Sequence, residues 1–142
     1  MDTIKQLIEY KGSHVWSIGP DEKVLTALQE MAVKNAGALA VVKNDLLVGI
    51  ISERDYTRKV VLEGKSSDTS LVKEIMTNMV SCASLEQKIS ECVEIMDNGG
   101  FRHMPVLADG KLVGMLSLKD LVRVLLNNNK ILIRDLESYI NA

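Results

Sequence analysis

Gly49-Ile50-Ile51-Ser52-Glu53-Arg54-Asp55 returns 65 positions later as Gly114-Met115-Leu116-Ser117-Leu118-Lys119-Asp120. In both stretches a glycine sits before two apolar residues, and a serine then stands three places before an aspartate. Such a run reads as a strand passing into a helix, because the serine hydroxyl and the carboxylate can satisfy the first unpaired N–H groups of the helix. The same shift extends outward without a gap. Lys23 falls on Lys88, Met31 on Met96, Val41 on Val106, Leu47 and Val48 on Leu112 and Val113, and Arg58 on Arg123. Val24 answers Ile89, and Leu28 answers Val93. Two copies of one fold explain this most simply, and a duplication changes how every later signal is read.

Within the first copy, Pro20-Asp21-Glu22 opens a helix whose apolar stripe is Val24, Leu25, Leu28, Met31 and Ala32, and Gly37 is placed to end it. Ala38 to Val42 and Leu46 to Ile51 read as two buried strands joined by an Asn44-Asp45 turn. Ser52 caps a helix running to about Leu62. The second copy repeats the order: a helix near Glu86 to Asp97, strands at His103 to Leu107 and Leu112 to Leu116 around Asp109-Gly110, and a helix after Ser117. Short strands at Val15 to Ile18 and Val80 to Ala83 are expected to precede the first helix of each copy, so the unit is β-α-β-β-α. The resulting division is a helical start (1–11), a first repeat (12–65), a linker (66–75), a second repeat (76–128) and a C-terminal helix (129–142). Ile4, Leu7 and Ile8 at the start, and Ile133, Leu136, Tyr139 and Ile140 at the end, form stripes expected to cover the core or make a subunit contact.

The chain has 142 residues, 46% of them hydrophobic, enough for one domain or for two small ones sharing a core. A net charge of −2 gives no basic field to hold nucleic acid. No apolar run is long enough for a membrane span, and the start carries acids instead of a secretion signal, so the reading is cytoplasmic. Cys82 and Cys92 both lie in apolar patterns, as small buried hydrophobes do.

The two quoted stretches resemble the Gly-h-h-Ser/Thr-x-x-Asp signature of CBS domains, where h is apolar, and the resemblance covers residues from about 12 to 128. Ser52-Glu-Arg-Asp55-Tyr-Thr-Arg58-Lys59-Val60 is similar to small stand-alone microbial members with two repeats. The resemblance implies an α+β fold: two CBS repeats packed as a pseudo-twofold pair, with short flanking helices. It also implies a binder of AMP foremost, or of ATP, NAD(H) or S-adenosylmethionine, in clefts between the paired repeats, and a homodimer.

The residues lead independently to a compatible site. Ser52 and Ser117 stand where helix N–H groups and a hydroxyl converge, which suits ribose or phosphate oxygens. Asp55 and Asp120 can accept hydrogen bonds from two vicinal hydroxyls but repel a phosphate, so cations must hold the latter, and Arg54, Lys119 and the Arg102-His103 pair are at hand. Gly37 and Ala38 occupy the places of Arg102 and His103 in the first copy, leaving that cleft fewer donors. The alternative is structural: each Ser-x-x-Asp is only a helix cap, each glycine only a close approach, and Arg58 and Arg123 only a solvated face. Trp16 is expected in the core.

Enzymes are the weaker reading. His14 and His103 are the only histidines, and neither a zinc-binding spacing, a Walker loop nor a dinucleotide fingerprint occurs. No catalytic or metal residues are assigned and no catalytic cofactor is expected. The resemblance thus implies a regulatory adenine-nucleotide sensor. Its rivals are a nucleotide-independent scaffold for a metabolic or redox enzyme and a weak nucleotide-cleaving enzyme.

Overall fold

The computed structural model describes residues 1–12 and 14–140, apart from the Tyr139 side chain, so the Tyr139 position of the end stripe lies outside the described residues. In order the elements are α1 (Ile4–Lys11), β1 (Ser17–Ile18), α2 (Val24–Lys34), β2 (Ala38–Lys43), β3 (Leu46–Ser52), α3 (Glu53–Tyr56) continuing as a π-helical turn (Thr57–Val61), α4 (Val72–Ile75), α5 (Ile89–Gly99), β4 (His103–Ala108), β5 (Lys111–Ser117) and α6 (Leu118–Ile140). The fold is α+β, built from two copies of the repeat. It divides into two compact units, one around His14–Ser81 and one that joins Cys82–Ala108 to both ends of the chain.

In the first unit the strands lie in the order β1-β2-β3, β1 parallel and β3 antiparallel to β2. The β2–β3 turn has Asn44 and Asp45 at φ 52° and 63°, the left-handed pair that matches the twist of a two-residue hairpin. Asp109 and Gly110, at φ 52° and 76°, repeat it between β4 and β5. Where a strand at Val80 to Ala83 is expected, Ala83 makes a single parallel bridge to Val106, with its N–H on the Pro105 carbonyl at 2.8 Å.

Several helix boundaries differ from the sequence reading. Helix α2 starts at Val24, not directly after Pro20, and ends on Asn35 in the left-handed conformation (φ 51°), two residues before Gly37. Its buried face is Val24, Ala27 and Met31, with Ala32 turned to solvent, so the stripe lies slightly round the helix from where the apolar spacing put it. The helix expected up to Leu62 changes pitch at Thr57, where the Leu62 N–H reaches back five residues to the Thr57 carbonyl at 3.1 Å. Helix α6 continues without a break from the second repeat into the C-terminal segment.

The segment between the copies holds a further helix, α4, and does structural work. Lys23 gives α2 no side-chain cap; the Val24 and Leu25 N–H groups donate instead to the Ser70 and Ser67 carbonyls, both at 2.9 Å. In return, Val72 and Lys73 donate to the Glu22 and Pro20 carbonyls. Helix α1 does the same in the other unit, with Ile4 and Lys5 donating to the Gln87 and Leu85 carbonyls and Ile89 donating to Asp2. Thus α1 and α4 are equivalent elements, but Ile4 matches Val72 at a shift of 68, three more than the shift that relates the repeats.

Ile18, Val24, Ala27, Met31, Leu39, Val41, Ile51, Val60, Val72 and Ile75 form the core of the first unit. In the second unit Ile4, Leu7 and Ile8 of α1 are buried as expected of the opening stripe, whereas Ile133, Leu136 and Ile140 at the end of α6 stay exposed and cover nothing in the described chain. Cys92 is buried and Cys82 half-buried, and neither forms a disulfide. Trp16 is not in the core: it is 39% exposed, with Lys34 Nζ 4.0 Å above its ring and His14 edge-on at 4.1 Å.

Each signature glycine admits the short helix of its unit. A Cβ on Gly49 would stand 2.8 Å from the Thr77 carbonyl oxygen, which is itself fixed by Ile50 N–H, while one on Gly114 would meet only the Ile8 Cδ1 tip. Backbone cannot yield as a methyl can. Gly49→Ala is therefore expected to destabilise the fold by about 1–3 kcal/mol, and Gly114→Ala by distinctly less. Urea denaturation of the two variants measures the difference.

Candidate functional site

In the first unit, Ser52 ends β3 and caps α3. Its hydroxyl accepts from Asp55 N–H at 3.1 Å, and Asp55 Oδ2 accepts from both the Ser52 N–H and the Ser52 hydroxyl at 3.0 Å. The reciprocal cap weighed in the sequence therefore exists. It leaves Asp55 Oδ1, and that oxygen is held by Lys59 Nζ at 3.1 Å. Lys59 also donates to the Ile75 carbonyl of α4 at 2.8 Å. Glu53 N–H donates to the Gly37 carbonyl at 3.1 Å, and Ala38 pairs with Ser52, so the start of β2 and the Ser52–Asp55 turn are one piece of structure. Arg54 is exposed on the first turn of α3.

The second unit repeats this frame with different cations. Asp120 N–H donates to the Ser117 hydroxyl at 3.2 Å, and Leu118 N–H to the Arg102 carbonyl at 2.8 Å, so Arg102 and His103 flank the Ser117–Asp120 turn as Gly37 and Ala38 flank the other. Arg102 and Lys119 are exposed, and His103 is half-buried. The position of Lys59 is taken by Val124. The lysine comes instead from α1: Lys11 Nζ lies 2.9 Å from Asp120 Oδ2 and 3.3 Å from the Met115 carbonyl oxygen. Partial burial pushes the Asp120 carboxyl up, but the Lys11 hydrogen bond and charge, helped by Ser117 and Arg123, outweigh it and hold the group below its ordinary 3.8.

A cleft of about 580 Å³ opens in the first unit between the end of α2 and α3, lined by Met31, Asn35, Gly37, Glu53, Tyr56 and Thr57 among others. Gly37 is the one predicted site residue on its wall; Ser52, Arg54, Asp55 and Ala38 are not. The carboxylate chemistry and this space are thus neighbours, and the hydrogen-bonding turn, not the volume, marks the candidate site. Among the described residues no group of three or more His, Cys, Asp or Glu could hold a metal ion, and no helix is long and apolar enough to cross a membrane.

A family model described as CBS domain matches the chain twice, over residues 7–62 and 72–127. The chain belongs to the CBS-domain family. The mitochondrial CBS domain-containing protein CBSX3 of Arabidopsis thaliana is 37% identical over 136 residues, covering 92% of this chain, which spans 66% of that relative's length. The crystal structure of the CBS domain NE2398 is 44% identical and superposes with a TM-score of 0.83 over 87% of this chain and 97% of its own. The CBS pair of MJ0100, solved in complex with 5′-methylthioadenosine and S-adenosyl-L-methionine, shares the fold at a TM-score of 0.79 and 21% identity, covering 89% of this chain and 97% of its own. CBS pairs are in general regulatory, nucleotide-binding modules, and this chain carries two CBS repeats.

Two lysines at these CBS turns escaped the sequence reading. Lys59 was legible, since an aspartate four residues before a lysine on a helix is a standard ion pair. Lys11 was not, being 109 positions from Asp120. Because the folded Asp120 is held low, its contribution to stability is fully present above its unfolded value and is lost as pH falls below 3.8 through the folded value. Lys11→Met is expected to raise the Asp120 midpoint, to lower stability near neutral pH and to shrink the part of that stability which is lost on acidification through this group. Carboxyl-carbon NMR titration of both proteins reads the shift; an unmoved midpoint contradicts the pairing.

Proposed function

We propose that this CBS pair is a regulatory sensor of adenine nucleotides, with AMP its first ligand and ATP, NAD(H) and S-adenosylmethionine the competitors, and that it catalyses nothing. The observation that carries the reading is the carboxylate of each Ser-x-x-Asp turn, ion-paired with a lysine where a strand passes into a helix. An ionised carboxylate is a two-oxygen acceptor suited to the 2′- and 3′-hydroxyls of a ribose. The ammonium next to it, the hydroxyl and the helix-start N–H groups suit the phosphate. Its relative MJ0100, whose fold it shares, was solved with two adenosine-containing ligands, which supports the ligand class.

The two turns are not equal in this proposal. Ser117, Lys119 and Asp120 have Arg102 and His103 beside them and Lys11 reaching in from α1, so the second turn is the one for a phosphorylated ligand. Ser52, Arg54 and Asp55 have Gly37 and Ala38 beside them, and Lys59 already spans Asp55 and a backbone carbonyl. The first turn therefore favours a nucleoside or binds more weakly. Ligand occupancy alters what a partner enzyme meets, through a homodimer in the cytoplasm.

Calorimetric titration with AMP, ATP, NADH and S-adenosylmethionine is the test, and at least one of them is expected to bind. Asp120→Ala removes one or two charge-assisted hydrogen bonds to the ribose, so affinity falls about 10- to 100-fold. Silence with all four ligands refutes the sensor; unchanged affinity in the variant reduces the carboxylate to a cap.

A further inference from the structure

Helix α6 carries an apolar stripe that the CBS repeats do not use. Val122, Leu126, Asn129, Ile133, Leu136 and Ile140 alternate at spacings of four and three, the a/d pattern of paired helices. At about 100° per residue they fall on one side of the helix, roughly a quarter turn from Leu121, the residue buried against the rest of the unit. The five apolar members are 39% to 77% exposed. From Asn129 to Ser138 every residue is exposed, so the helix stands away from its own unit over more than two turns.

We propose that this stripe is the homodimer contact, formed by α6 of one copy lying antiparallel against α6 of a second copy. It rests on the homodimer of the preceding reading and gives that homodimer an address. The argument is charge complementarity. With Asn129 of one copy set against Ile133 of the other, Leu126 meets Leu136 and Val122 meets Ile140. On one flank Arg123 of each copy then stands beside Glu137 of the other, giving two opposite-charge pairs. On the second flank Leu132 meets Leu132. An in-register parallel pair would instead set Leu125 beside Lys130 and Leu132 beside Glu137, apolar against charge, so the sequence favours the antiparallel arrangement. The adverse pairings are Lys130 against Lys130 at the centre and the polar Asn129 of each copy against Ile133 of the other, the latter costing stability while fixing the register. A membrane surface is a poorer occupant, because Arg123, Lys130 and Arg134 are nearly balanced by Asp135 and Glu137, and anionic lipid attracts only a strong basic excess.

Sedimentation equilibrium of the ligand-free full chain tests the contact, with circular dichroism confirming that each variant folds. The wild type is expected to be a dimer. Arg123→Glu and Glu137→Arg, each of which turns two attractive pairs into repulsive ones, are each expected to weaken it at least about tenfold, and the double reversal to restore it. Lys130→Gln is expected to tighten it. Chains with Arg123→Cys mixed with chains with Glu137→Cys are expected to cross-link, whereas neither does so by itself. A monomeric wild type overturns the homodimer itself. A dimer indifferent to both reversals and to Leu132→Lys leaves the homodimer standing and removes α6 from it. A double variant no tighter than the single ones overturns the antiparallel register.

Discussion

The ion pair between Lys11 and Asp120 joins the first helix of the chain to the last, 109 residues away, and most of what distinguishes the second turn follows from it. A carboxylate alone at the start of α6 would be an ordinary helix cap. With an ammonium at 2.9 Å it becomes a fixed acceptor held below the ordinary carboxylate pKa. The first unit solves the same problem locally, with Lys59 one turn along the same helix reaching both Asp55 and the Ile75 carbonyl of α4. Each short helix is thus tied to its Ser-x-x-Asp turn by a lysine, once from the helix to the turn and once from the turn to the helix.

That exchange has a consequence for signalling. In the second unit, anything that draws Asp120 away from Lys11 loosens α1 at a point where its N–H groups also meet the Gln87 and Leu85 carbonyls. In the first unit, Lys59 can release Asp55 and keep its backbone bond to α4. The same duplicated frame therefore yields one turn tied to α1 by a lysine from that helix and one tied to α4 by a lysine of its own helix. Sequence divergence at two positions, Lys59 against Val124 and Lys11 against the linker, is enough to produce it.

Much of this was legible in the sequence because the strongest signals were local and duplicated. The glycine, the serine and the aspartate fixed the strand-to-helix turns, and the left-handed Asn44-Asp45 and Asp109-Gly110 pairs fixed the hairpins. What escaped depended on distance or on tertiary bonds. The α1–α4 equivalence hid behind a shift of 68 where the repeats keep 65. Helix α2 ends at Asn35 because that residue accepts the left-handed conformation before Gly37 is reached, and its start is set by linker carbonyls that no local pattern announces. Trp16 reads as core from its size alone, yet it lies at the surface with the cation of Lys34 over its ring. The end stripe was visible as apolar, but only the structure shows that Ile133, Leu136 and Ile140 stay exposed among the described residues.

The account stands on the ribose diol being read by the Asp120 carboxylate. Competition calorimetry of AMP against its 2′,3′-dideoxy analogue isolates that contact, since the two share base and phosphate and differ only in the hydroxyls. The account predicts that the dideoxy compound binds at least about tenfold more weakly to the wild type, and that Asp120→Ala erases the difference. Equal affinity of the two ligands for the wild type would contradict it.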